Sequence, residues 1–180
     1  MKKINALLGL SLLAALAACS GDEAVNKFDP KIITSNDFES VAGWGVDPTM
    51  LERGRAHSGR YALKADATHE YSLGYSTLLG QASPTKIKTL HLEAWAFLPS
   101  QRSGGILGVQ VMSVADPSKE AGSGGIKLGE VVKTYNKWVQ VSTDFTLPAD
   151  VTAAQVLRMA LWRGSGEEVL VDDVVLSIKE

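Results

Sequence analysis

Few side chains in this sequence stand at spacings that suit chemistry. His91 and Glu93 are two residues apart, and on an extended strand they point to the same side. An imidazole beside a carboxylate suits proton transfer or metal ligation, but no third group completes a site in the sequence. Asp172 and Asp173 are adjacent, so on a strand their side chains diverge, and no paired carboxylates stand out for glycoside cleavage. The run Gly122-Ser123-Gly124-Gly125-Ile126-Lys127 has the glycines and the lysine of a phosphate loop. It lacks the full spacing and the following Ser or Thr, and reads as a flexible loop. No Ser, His and Asp can be grouped into a triad by order alone. His57 lies in a Ser-Gly turn, where a local hydrogen bond is its expected use, and His69 falls in a loop. With three histidines in all and no convergent titratable set, the expectation is a protein that is not an enzyme.

One residue has definite chemistry. Cys19 is the only cysteine among 180 residues. Lys2 and Lys3 precede an apolar run over 6–18, broken only by Gly9 and Ser11. That run is shorter than the roughly 20 residues a bilayer span needs, and it has the size of a signal-peptide core. It ends Leu16-Ala17-Ala18-Cys19, which resembles the lipobox of bacterial lipoproteins. The resemblance implies cleavage before Cys19 and a covalent lipid, diacylglycerol with further acyl chains of the palmitate kind, on its sulfur. Stable anchoring takes two or more chains. Ser20, Asp22 and Glu23 resemble an outer-membrane address and a surface-export tether; a plain solvated linker accounts for residues 21–27 equally well. The expected organisation is a lipoprotein signal peptide over 1–18, a lipidated N-terminus and linker over 19–30, and one domain over 31–180, placed in the cell envelope on a lipid anchor, at the outer membrane.

Composition narrows the classes further. The chain carries 18 basic and 20 acidic residues, a net charge of −2. Loss of residues 1–18 removes two lysines and no acid, leaving −4. A mildly acidic protein does not suit nucleic acid, which calls for a basic patch. About 160 residues suffice for one domain burying roughly 70% of its extended surface. With Cys19 lipidated there is no disulfide, no thiol nucleophile and no cysteine metal site.

The elements that must position these residues read as short strands. Seventeen glycines punctuate the chain, and between them lie runs with period-two alternation: 60–65, 71–79, 88–98, 106–114, 126–134, 137–147, 155–163 and 168–178. Evenly spaced strands with turn signals predict a sandwich or barrel. No long window has a helical stripe; 151–154 reads as one helical turn capped by Asp150, and 116–125 as a polar, Gly-rich loop. Alternation puts Leu90, Leu92, Ala94 and Ala96 on one face, and His91, Glu93, Trp95 and Phe97 on the other. Likewise Leu157, Met159 and Leu161 form a core face, opposite Val156, Arg158, Ala160 and Trp162.

The order of several short motifs resembles a known group. These are Asp37-Phe38-Glu39, Gly43-Trp44, His57-Ser58-Gly59-Arg60-Tyr61-Ala62-Leu63-Lys64, the strand over 90–97, Trp138-Val139-Gln140-Val141-Ser142, Phe145-Thr146-Leu147-Pro148 and Val171-Asp172-Asp173-Val174. Together, over 31–180, they are similar to the galactose-binding-like jelly rolls of carbohydrate-binding modules attached to xylanases and cellulases. The resemblance implies an all-β jelly-roll sandwich and a non-catalytic role, capture of a polysaccharide or glycan on a concave sheet face. The same superfold hosts protein-binding and structural members, so an envelope scaffold contacting another protein is the alternative. Family members are appendages of enzymes, whereas this domain is expected to stand alone on its lipid. The resemblance also implies a structural calcium ion held by Glu39, Asp172 and the carbonyl of Arg60, suited to a cation that takes six to eight oxygens; otherwise these are surface acids near a strand end. For sugar it implies Trp95 with His91 and Glu93, Trp162 with Arg158, and Gln110 on the same face. An exposed ring stacks on a pyranose, whereas a ring beneath a strand or loop is core. Tyr71 and Tyr75, at strand spacing on one face, are weaker contacts, and Trp44 and Trp138 match structural positions.

Overall fold

A computed structural model describes residues 29–179, apart from the side chain of Leu73. The signal segment, Cys19 and most of the linker lie outside the described residues. Ten strands form two antiparallel sheets. They are β1 Ile32–Asn36, β2 Leu51–Arg53, β3 Tyr61–Ala65, β4 Tyr71–Leu78, β5 Thr89–Phe97, β6 Ile106–Met112, β7 Glu120–Lys127, β8 Trp138–Thr146, β9 Val156–Trp162 and β10 Val169–Lys179. Two single helical turns, α1 Leu79–Ala82 and α2 Leu128–Val131, and a 3₁₀ turn at Pro48–Met50 complete the described elements. The architecture is an all-β jelly-roll sandwich.

The first sheet runs β2-β3-β10-β5-β8, with β1 also on β10. The second runs β4-β9-β6-β7. Strand β10 is the spine of the first sheet. Its Val169–Val171 segment pairs with β3 and its Val174–Ser177 segment with β1, while β5 lines the other edge. Asp173 divides the two segments: its φ of 46° shifts the register between Asp172 and Val175. The core is the space between the sheets, where alternation places the apolar residues. Leu90, Leu92, Ala94 and Ala96 of β5 face Leu107 and Val109 of β6 and Leu157, Met159 and Leu161 of β9 across it, all buried. Trp44 is also core, and its indole N–H donates to Thr34 Oγ1 at 3.0 Å. Trp138 packs half-buried on a small second cluster of Ala62, Phe97 and Leu170.

Three stretches differ from expectation. The strand expected over 126–134 is instead β7, Glu120–Lys127, followed by α2. The Gly-rich run carries no side-chain alternation, yet it pairs with β6 from Met112↔Glu120 to Ile106↔Lys127. Glycine is required here by close approach: a Cβ on Gly124 would overlap the Phe145 ring, and one on Gly122 would meet Pro148. Beyond it, Leu128 and Val132 are buried four residues apart, which is helical spacing. Residues 151–154 do not form a helical turn; Gln155 closes them as an irregular turn, its Oε1 accepting from Thr152 N at 2.6 Å. Strands β1 and β2 and turn α1 were not legible, being short.

Candidate functional site

The outer face of the second sheet holds a groove of about 1080 Å³. Strand pairing lays out its floor and walls in rows. One row crosses the sheet as Tyr71, Trp162, Ile106 and Lys127. Two residues along, the row is Ala160, Gly108 and Gly125. Two further along it is Ser76, Arg158, Gln110 and Ser123. An aromatic wall and a polar wall thus flank a trough of residues with little or no side chain. At about 3.3 Å per residue the outer rows are roughly 13 Å apart, room for more than one sugar ring.

Trp162 and Tyr71 are the exposed aromatics of this face, at 38% and 54% of full exposure. Their rings are near-parallel, 11° apart with centroids 5.8 Å apart. An exposed, pre-ordered stack of this kind leaves an outer aromatic face as a platform at little entropic cost. In the polar row, the Gln110 amide donates to Glu120 Oε1. Lys127 is paired with Glu130 at 3.3 Å. Three of the six predicted sugar contacts, Trp162, Arg158 and Gln110, therefore meet in one groove.

The other three do not join them. Trp95, His91 and Glu93 are on β5, in the first sheet, on its outer face, with the whole core between them and the groove. Alternation assigned their side of the strand correctly, since their neighbours Leu92 and Ala94 are core. It does not say which sheet a strand belongs to, or what covers it. Trp95 is covered: the His57 ring stacks on it at 3.8 Å and 12°. His91 Nδ1 lies 2.8 Å from Asp144 Oδ1, its cross-strand partner, and Nε2 is 3.8 Å from Glu93. Asp144 is in turn paired with Lys179, which, with His91, holds its carboxyl below the usual range. This is a solvated ion-pair network on the sheet.

Tyr71 deserves more weight than alternation gave it. A register shift between Leu73 and Tyr75 sets Tyr75 opposite buried Met159, while Tyr71 stands opposite Trp162. The two tyrosines therefore do not share one face by alternation. Tyr75 borders the groove, packed on Trp44 at 6.1 Å.

The residues expected to hold calcium surround one turn, 57–61. Glu39 Oε1 accepts from the N–H groups of Arg60 at 2.5 Å and Tyr61 at 2.8 Å. Asp172 Oδ2 accepts from His57 N at 2.7 Å and Ser58 N at 3.1 Å, and its Oδ1 from Asp173 N at 2.8 Å. Asp173 does not diverge from Asp172, contrary to the strand rule. Its left-handed backbone turns it to the same segment, where its Oδ2 lies 2.5 Å from His57 Nδ1 and its Oδ1 accepts from Ser58 Oγ at 2.6 Å. Gly59, at φ 59°, lies so close to Glu39 that a Cβ would meet its carboxyl group at 2.5 Å. Burial pushes Asp172 up from 3.8 to about 6, against the backbone N–H bonds that lower it. Calcium takes oxygen donors, and here the turn meets both carboxylates with N–H groups. Among the described residues no group of three His, Cys, Asp or Glu side chains is arranged to hold a metal ion. As arranged, the carboxylates of Glu39 and Asp172 are engaged by the N–H groups of the turn and form a hydrogen-bonded clasp.

No protein-family model and no curated protein matches the sequence. Solved structures do match. One is the CBM22-2 xylan-binding domain of Xyn10C from Paenibacillus barcinonensis, at a TM-score of 0.52 and 18% identity over 82% of this chain and 99% of that one. Another is the C-terminal family 22 carbohydrate-binding module of Xyn10B from Clostridium thermocellum, at 0.51 and 15% over 83% and 95%. The N-terminal CBM22-1–GH10 modules of Clostridium thermocellum Xyn10B, complexed with xylohexaose, match at 0.53 and 12%, over 83% of this chain and 29% of that one. At these identities the likeness defines a fold: the jelly-roll sandwich of the carbohydrate-binding modules.

Proposed function

We propose that this protein is a non-catalytic glycan-binding protein that holds a polysaccharide in the groove of the β4-β9-β6-β7 sheet. The observation that carries this reading is the row pattern, an exposed Tyr71–Trp162 pair and a polar row of Arg158 and Gln110 across a trough of Ala160, Gly108 and Gly125. Such a surface stacks on one sugar ring and hydrogen-bonds the hydroxyls of the next. The CBM22-2 xylan-binding domain of the same fold supports polysaccharide as the ligand class. Among the described residues lining the groove there is a single carboxylic acid, Glu120, where glycoside cleavage uses two, so the reading is capture rather than turnover.

We propose further that residues 1–18 are removed and that Cys19 carries the lipid, so that the domain from about residue 31 is displayed from the envelope, at the outer membrane, on a short acidic tether. The test of function is affinity electrophoresis against soluble polysaccharides, xylans first. Retardation by at least one glycan, lost in Trp162→Ala, is the expected result. No retardation by any member of a broad panel contradicts the reading.

A further inference from the structure

Arg158 stands apart from most arginines of the protein. Arg55, Arg60, Arg102 and Arg163 each pair with a carboxylate. Arg158 has no ion pair or hydrogen bond among the described residues, and neither does Arg53, which is not in the groove. Arg158 sits on β9, an interior strand, between Ser76 on β4 and Gln110 on β6. Neither neighbour can neutralise it. The one acid lining the groove, Glu120, is held by the Gln110 amide, and the other cation, Lys127, is held by Glu130. Among the described residues the groove therefore presents a guanidinium with no ion pair, four residues along the strand from Trp162, while Glu120, held by a neutral amide, keeps its charge.

Guanidinium is a planar fork of donors that matches a carboxylate in two parallel hydrogen bonds. A hydroxyl cannot use that geometry or that charge. We propose that the groove selects a polysaccharide bearing uronic acids, with one sugar ring on the Trp162–Tyr71 platform and the carboxylate of a neighbouring residue on Arg158. The inference rests on the glycan-binding reading and names its substrate class. The net charge, −2 for the full sequence and −4 without residues 1–18, opposes a polyanion in general, so a preference for acidic glycan must come from a local contact rather than from the overall field.

The experiment compares glucuronoxylan and polygalacturonate with the same polymers after chemical reduction of their carboxylates to alcohols, using isothermal titration. Wild type, Arg158→Gln and Trp162→Ala are measured in low salt and in 0.5 M salt, on the order of a 4 Å screening length. The expected result is at least one acidic polymer bound about tenfold or more tighter than its reduced form, a difference of about 1.4 kcal/mol. High salt narrows that preference and Arg158→Gln abolishes it. Equal affinity of wild type for the acidic and reduced forms, or a preference that survives Arg158→Gln, overturns this inference and leaves glycan binding standing. Failure to bind any polymer, acidic or neutral, overturns both.

Discussion

Asp172 is the buried carboxylate on which the closing turn hangs, and its titration gives a prediction with a sign. Its folded pKa of about 6 lies above the ordinary 3.8, with burial as the main cause. The folded state therefore favours its protonated form. The stability this adds is full below about pH 4 and is lost as pH rises through about 6. Glu39, Asp66 and Asp144 are lowered and act in the opposite sense, losing stability as pH falls. Comparing wild type with Asp172→Asn cancels those shared groups. Urea unfolding from pH 4 to 7 is expected to show wild type losing roughly 2–3 kcal/mol relative to the variant. Parallel curves would show that the carboxyl is not shifted. The same clasp gives a second expectation: chelator leaves the thermal midpoint unchanged, whereas a drop of several degrees would restore calcium at Glu39, Asp172 and the Arg60 carbonyl. The resemblance brought Glu39, Asp172 and the Arg60 carbonyl together around one ion, while alternation set Asp173 apart from Asp172. A left-handed backbone at Asp173 has no alternation signature, and it is what brings both aspartates onto His57 and Ser58.

Strands and their faces show where pattern reading succeeds and where it stops. Strands β5 and β9 alternate cleanly because one side of each is core, and their buried and outward sets are as the sequence implied. That put Trp162 and Arg158 on one side of β9. The resemblance, not alternation, added Gln110 and grouped Trp95 with them, and alternation carries no information on which sheet a strand joins. The covering loop bearing His57 is nearly forty residues away in sequence. Strand β7 was missed because glycines carry no pattern, though they serve the packing against Phe145 and Pro148. The trough gives an element-scale test. A Cβ on Gly108 meets nothing nearer than 3.8 Å, and its φ is not in the left-handed range. Gly108→Val should fold normally, with valine favoured in a strand by up to about 1 kcal/mol, while its side chain fills the floor between the two walls. Glycan affinity is expected to fall about tenfold, about 1.4 kcal/mol, with no loss in thermal midpoint. Unchanged affinity would mean that the ligand does not enter the trough.

At the scale of the whole molecule, a jelly roll without a disulfide is held by the core between two sheets and presents the groove of the second sheet away from it. Among the described residues no helix is long and apolar enough to cross a membrane; in the reading proposed above, attachment is through lipid on Cys19. Cys19→Ser is expected to move the protein from the membrane fraction to the soluble fraction, as read by fractionation and by loss of palmitate labelling; retention at the membrane would contradict lipidation. If anchored as proposed, a sandwich with an aromatic and polar groove suits capture of a polymer near the envelope. The claim that decides the account is which sheet does the capturing. Equilibrium titration of a bound glycan against Trp162→Ala and Trp95→Ala, both checked for folding by circular dichroism, tests it most directly. Affinity at least about tenfold weaker in Trp162→Ala and near wild type in Trp95→Ala is the result predicted. Loss in Trp95→Ala with Trp162→Ala unaffected would put the site on the opposite sheet and contradict it.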